Sequence, residues 1–169
     1  RFHFIEVLMS KNILIVEDEE TLRAIIKRIF VKKGYTVDGA ESAEKGLALL
    51  ETGMYDVILT DIILPGMDGI EMLARVREQV PDQIIIVVTA YASLDTSIKA
   101  LRAGAYDYIM KPVIHEEIKQ VVRNALRQKS LQAENVLLKR EIGKDYDFSS
   151  IIGESPALKA ILDEVRKVT

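Results

Sequence analysis

Tyr55-Asp56-Val57-Ile58-Leu59-Thr60-Asp61 runs without a break into Ile62-Ile63-Leu64-Pro65-Gly66-Met67-Asp68-Gly69. The first part is an apolar run closed by a carboxylate, and the second is rich in turn formers. It reads as a buried strand followed by a loop, with Asp61 at the strand's C-terminal tip. Open α/β sheets bind their ligands at the carboxyl ends of strands. Two further tips share the pattern. Ile13-Leu14-Ile15-Val16 ends in Glu17-Asp18-Glu19-Glu20, and Tyr106-Asp107-Tyr108-Ile109-Met110 ends in Lys111-Pro112. Two acidic tips and one basic tip, in this order, point to a small site for a metal ion and a phosphoryl group.

Outward from this run, the pattern predicts five strands alternating with five helices. The strands are expected at Ile13–Val16, Tyr35–Asp38, Val57–Thr60, Ile84–Val88 and Tyr106–Ile109. Between them, apolar residues recur at helical spacing, as in Leu22, Ile25, Ile26 and Ile29 before Gly34. Ser42, Asp68 (with Glu71 in a capping-box-like pair) and Ser93 are candidate helix caps. Continuous apolar strands imply burial on both faces. That means a doubly wound parallel sheet, and the flavodoxin-like order 2-1-3-4-5 fits. Strands one and three flank the switch point in that order, so topology alone brings Asp18 and Asp61 together.

The 169 residues carry 26 acidic and 23 basic side chains, a net charge of −3, which argues against a dedicated nucleic-acid surface. There is no cysteine, hence no disulfide framework and no thiolate metal site, which suits a reducing cytoplasm. No apolar run reaches the ~18 residues needed to span a bilayer, so no membrane role is expected. Residues 1–8 are too short for a signal peptide and read as a tag or an upstream extension, with Met9 as the natural start.

Five groups of residues, Glu17-Asp18, Asp61, Thr89-Ala90, Tyr108 and Lys111-Pro112, together resemble the receiver domain of two-component response regulators over Lys11 to Arg127. The resemblance implies a regulatory domain, residues 9–127, that accepts a phosphoryl group on Asp61 from a sensor histidine kinase. It implies Mg²⁺ held by Asp18, Asp61, the backbone carbonyl of Ile63, and Glu17 directly or through water. Lys111 and Thr89 would bind phosphoryl oxygens, with the Ala90 amide beside them. Thr89 and Tyr108 would form the switch, and the Lys111–Pro112 peptide would be cis. Such a domain is not an enzyme in the ordinary sense; it promotes its own phosphorylation and dephosphorylation. Taken singly, each residue has a plainer reading: Asp61 as a turn residue, Thr89 as a strand end, Tyr108 as core, Lys111 as a solvated charge. Glu19 and Glu20 read as an acidic helix start. His3 and His115 are isolated and read as structural or exposed. Met54, Met67, Met72 and Met110 read as packing.

After Pro112 a helix continues past the domain edge. Val121, Gln128, Asn135 and Ile142 recur every seven residues, with Asn124, Leu131 and Leu138 between them, a short and imperfect coiled-coil seam. Residues 128–143 are expected to form a dimerising linker closed by Gly143, with Leu131, Leu138 and Ile142 as its apolar seam, Asn135 at a central seam position, and Val121 near the start of the helix, where it still packs on the receiver. The alternative is one amphipathic helix folded on its own receiver. Residues 144–169 read as a linker and a further helix capped at Ser155. They resemble the opening of the AAA+ ATPase domain of NtrC/DctD-like activators of sigma-54 polymerase. The Walker A run is absent, so this piece is expected neither to hydrolyse ATP nor to bind DNA, and the chain reads as cut from a longer regulator.

Three other functions are weaker. A haloacid-dehalogenase-like phosphatase needs Asp-x-Asp-x-Thr after its first strand, where this chain has Glu17-Asp18-Glu19-Glu20-Thr21. A flavodoxin needs a hydroxyl-rich phosphate loop there. A pseudo-receiver that serves only as a dimerisation scaffold would not need the complete set of site residues.

Overall fold

The computed structural model describes residues 10–91, 93–145 and 164. Among the described residues up to Asp145, five strands and five helices alternate: β1 (Asn12–Val16), α1 (Glu20–Val31), β2 (Thr36–Ala40), α2 (Ala43–Thr52), β3 (Val57–Thr60), α3 (Gly69–Gln79), β4 (Ile84–Thr89), α4 (Leu94–Arg102), β5 (Asp107–Met110) and α5 (His115–Asp145). The strands form one parallel sheet in the order β2-β1-β3-β4-β5. This is the flavodoxin-like order expected from continuous apolar strands.

The pleat sorts side chains to two faces. Ile13, Ile15, Val57, Leu59, Ile86 and Val88 pack on one side with Ile26 and Phe30 of α1 and with Ile118, Val122 and Ala125 of α5. Leu14, Val16, Ile58, Ile85 and Val87 pack on the other with Ala43 of α2, Met72, Leu73 and Val76 of α3, and Ala100 of α4. Register aligns the strand tips. Val16 lies beside Thr60 and Ala40, Thr60 beside Val87, and Thr89 beside Met110. The residues just past these positions therefore share the carboxyl edge.

Several local expectations are corrected. β2 runs Thr36–Ala40 rather than Tyr35–Asp38 because its pairing with β1 continues to Ala40, while Tyr35 packs edge-on against Phe30 with centroids 5.6 Å apart. Asp68 caps α3 by accepting the Glu71 N–H at 2.8 Å, but the Glu71 carboxylate bonds Arg75, so the reciprocal half of that box is not made. A full capping box forms instead at Ser93 and Thr96. Of the four methionines read as packing, Met72 is buried and Met67 partly so, whereas Met54 and Met110 are exposed. By contrast, Val121, expected where the helix still packs on the receiver, packs against the core beside Ile118 and Val122. Gly143 does not end α5, which continues to Asp145. A helical glycine costs only about 1 kcal/mol, and the left-handed glycines among the described residues are Gly34, Gly66 and Gly104. The chain divides into two compact units, Arg1–Arg127 and Gln128–Thr169. The expectations for residues 1–8 and for the helix capped at Ser155 lie outside the described residues.

Candidate functional site

β1, β3 and β5 deliver the site from their carboxyl ends. Past β1, the Glu17 amide donates to the Ala40 carbonyl and the Asp61 amide to the Val16 carbonyl. These bonds prolong the parallel ladders by one residue and lock both acids against the sheet. Past β5, the Lys111 amide donates to the Thr89 carbonyl at 2.9 Å. The Lys111–Pro112 peptide is cis.

Lys111 joins the two acidic tips. Its Nζ lies 2.5 Å from Asp61 Oδ2 and 2.8 Å from Glu17 Oε2. Asp61 is 6 % exposed and Glu17 2 %. The other oxygen of Asp61 accepts the Ile63 N–H at 3.2 Å, so both of its carboxylate oxygens have donors. Asp18 is exposed, and one ligand oxygen each from Glu17, Asp18 and Asp61 can be chosen so that all lie within 4.8 Å of one another. Three carboxylates and one ammonium leave an excess of negative charge. Burial pushes the Glu17 carboxyl up from its ordinary value, and its hydrogen bonds to Lys111 and the Glu19 amide offset this only in part. Burial pulls Lys111 down, but its bonds to Asp61 and Glu17 and their charges more than reverse this, so it stays protonated well into alkali. A crowded set of hard oxygen donors with more negative charge than one lysine can neutralise fits a divalent cation such as Mg²⁺.

The remaining candidates fall at different distances from this centre. Thr89 ends β4, is buried, and accepts the Tyr91 N–H on Oγ1 at 3.1 Å. Tyr108 stands on the edge strand β5 with its side chain 37 % exposed, so it is not a core residue. The Ile63 side chain is exposed, and its amide is tied to Asp61. Asn135, Leu131, Leu138 and Ile142 are exposed on the second unit's part of α5.

Three positioning features escaped the sequence reading. The Arg23 guanidinium donates to the Glu17 carbonyl at 2.7 Å, and its stem crosses Gly39, where a Cβ would lie 3.1 Å from Arg23 Cδ. Gly69, the first residue of α3, packs so close that a Cβ would fall 1.9 Å from the Asp61 carbonyl oxygen. Glu44 reaches from α2 to the loop after Asp61 and accepts the Met67 N–H at 2.9 Å. A glycine inside a strand and another opening a helix were the available signals, since each marks close approach.

The chain matches the response regulator receiver domain family over residues 13–123. It is 33 % identical over 157 residues to the regulatory protein AtoC of Escherichia coli (strain K12), covering 93 % of this chain and 34 % of AtoC. It is 30 % identical over 159 residues to the DNA-binding transcriptional regulator NtrC of Proteus hauseri, covering 91 % and 32 %. It thus spans about a third of the length of these curated relatives. Among solved structures, a receiver domain protein from Methanospirillum hungatei JF-1 aligns with a TM-score of 0.71 and 37 % identity, covering 73 % of this chain and 99 % of that one. NtrX from Brucella abortus aligns at 0.72 and 29 %, covering 77 % and 30 %. With this fold and this acidic, lysine-closed sheet edge, the chain belongs to the response regulator receiver domains, the phosphorylation-controlled regulatory domains of two-component systems.

Proposed function

We propose that this chain is the phosphoacceptor module of a longer, cytoplasmic transcription activator and that Asp61 is the residue phosphorylated. The observation that carries the reading is the bridge from Lys111 Nζ to Asp61 and Glu17, beside Asp18. In the proposed reaction an Asp61 oxygen attacks the phosphorus of a phosphohistidine on a sensor histidine kinase. The P–O bond forms as the P–N bond breaks, and the histidine nitrogen leaves with the electron pair. Lys111 then pairs with a phosphoryl oxygen, and Thr89 with the Ala90 amide takes another. Asp18, Asp61, the Ile63 carbonyl and Glu17, directly or through water, would hold Mg²⁺, which when bound supplies positive charge to the phosphoryl oxygens. The same groups assist hydrolysis of the acyl phosphate, so the module resets itself.

Thr89 and Tyr108 carry the signal outward. A phosphoryl oxygen offers the Thr89 hydroxyl a new acceptor, and an inward shift of Thr89 opens space for the Tyr108 ring. Only such a differential contact shifts a two-state equilibrium. The face of α4, β5 and α5 is the surface that changes. The output partner is a downstream AAA+ domain of a sigma-54 activator, in keeping with the transcriptional regulators among the relatives. The chain's part in that output is a dimer through α5, with no DNA contact of its own.

Mass spectrometry after treatment with acetyl phosphate and Mg²⁺ tests the assignment. One added phosphoryl group is expected in the parent and none in Asp61→Asn, with Tyr108 resonances shifting only in the parent. Equal modification of Asp61→Asn would remove Asp61 from its role, and an unmoved Tyr108 would remove the switch.

A further inference from the structure

The loop from Asp61 to Gly69 must hold a carboxylate and a backbone carbonyl in fixed relation if it is to serve both phosphoryl group and cation. Its own residues close it near the ends, the Ile63 N–H donating to the Asp61 side-chain Oδ1 at 3.2 Å and the Gly69 N–H to the Ile62 carbonyl at 2.8 Å. Ile62 and Leu64 anchor it in the core. Its middle, Pro65-Gly66-Met67, turns through a left-handed Gly66 with φ +80°. Pro65 has no N–H to give. Among the described hydrogen bonds of Pro65-Gly66-Met67, the one side chain reaching in from another element is Glu44, which accepts the Met67 N–H at 2.9 Å.

Glu44 is well placed for such a tether. Ser42 caps α2, so Glu44 sits in the first turn, where a carboxylate is favoured by the helix dipole. The helix that carries it is itself closely seated: a Cβ on Gly46 would lie 2.9 Å from Val16 Cγ2 and 3.1 Å from Met72 Cε. Val16 immediately precedes Glu17, so the same helix abuts the end of β1. Gly66 leaves room for the carboxylate as well as making the turn, since a Cβ there would fall 2.7 Å from Glu44 Oε1.

We infer that Glu44 is a positioning residue of the phosphoacceptor loop, holding the Gly66–Met67 turn and through it the Ile63 backbone against Asp61. The inference rests on the reading of Asp61 and its cation given above. Full-length Glu44→Ala and Glu44→Gln are both neutral at this position, but only the glutamine keeps an acceptor for Met67. NMR titration with Mg²⁺, followed at the Ile63 amide, and hydrogen exchange at the Met67 amide read the tether directly. Glu44→Ala is expected to bind Mg²⁺ roughly three- to tenfold more weakly than the parent, with faster Met67 exchange. Glu44→Gln is expected to stay within about twofold of the parent, because the acceptor remains. Equal losses in the two variants would make the effect one of charge and overturn the tether. Parent-like Mg²⁺ affinity in Glu44→Ala would also overturn it, whatever happens to the melting temperature. If the parent itself neither binds Mg²⁺ nor is phosphorylated on Asp61, the reading of the site fails instead, and Met67 exchange alone then decides whether the tether exists.

Discussion

Lys111 shows how a single side chain organises the site. It neutralises one carboxylate's worth of charge while touching two, so the pocket keeps a standing demand for another cation. A different balance holds at Tyr55, just before β3, at the opposite edge of the sheet from the acidic tips. Its hydroxyl donates to Asp38 at 2.7 Å, and burial together with that carboxylate pushes it up to about 12. The folded value lies above the ordinary 10.0, so the contribution is present in full below pH 10 and lost as pH rises through about 12. That window is worth roughly 2–3 kcal/mol. Tyr55→Phe should be less stable at neutral pH by about 1 kcal/mol and should lack the late step in an alkaline tyrosinate absorbance titration. A titration of Tyr55→Phe that still shows the parent's last step would place that step on another tyrosine.

At the scale of elements, α5 is one helix with two chemistries. Ile118, Val122 and Ala125 are fully buried against the sheet, at the i, i+4, i+7 spacing of a core-facing stripe. Beyond Arg127 the large apolar residues Leu131, Val136, Leu137, Leu138 and Ile142 are exposed. Two or three heptads are marginal alone, so the proposed parallel dimer would draw on receiver contacts as well, with Asn135 favouring one register at some cost in stability. The two parts should respond differently to substitution. Ile118→Ala should lower unfolding free energy by about 2–5 kcal/mol without altering the sedimentation of the folded chain. Leu131→Asp with Leu138→Asp should leave the receiver's melting near the parent's and convert a dimer to a monomer. A parent that already sediments as a monomer at tens of micromolar, or a dimer indifferent to both aspartates, would rule out pairing through α5 and favour the single amphipathic helix.

The sheet as a whole turns local strand tips into a site. In the order β2-β1-β3-β4-β5, β1 and β3 are neighbours although a helix, a strand and a second helix separate them in the chain. Glu17, Asp18 and Asp61 converge only because the parallel register ends both strands at one level. A cation that binds this edge binds the folded chain alone, so it should stabilise the fold by mass action. Mg²⁺ at about a hundred times its dissociation constant should add about 2.7 kcal/mol to unfolding free energy. Asp18→Asn should lose most of that gain, whereas Glu20→Gln, in the first turn of α1, should keep it. Equal losses in the two variants, read by thermal melting with and without Mg²⁺, would reduce the acidic run to a diffuse field.

Much of this molecule was legible before folding. Apolar runs of four to six residues ending in charge specified the strands and the edge that bears chemistry, because burial on both faces of a parallel sheet demands uninterrupted apolar sequence. The flavodoxin-like order 2-1-3-4-5 fitted that pattern, and in that order Asp18 and Asp61 meet. Other features depend on distances that no local pattern encodes. That Lys111 bonds Glu17 as well as Asp61, that Arg23 crosses Gly39, and that Glu44 reaches Met67 are contacts between segments set by packing. Val121 suits a seam and a core equally by heptad position; the extent of the receiver already suggested that it packs inward, and the sheet beside it supplies the surface that it meets. Helical periodicity says which residues share a face, while the neighbouring surface determines what that face meets.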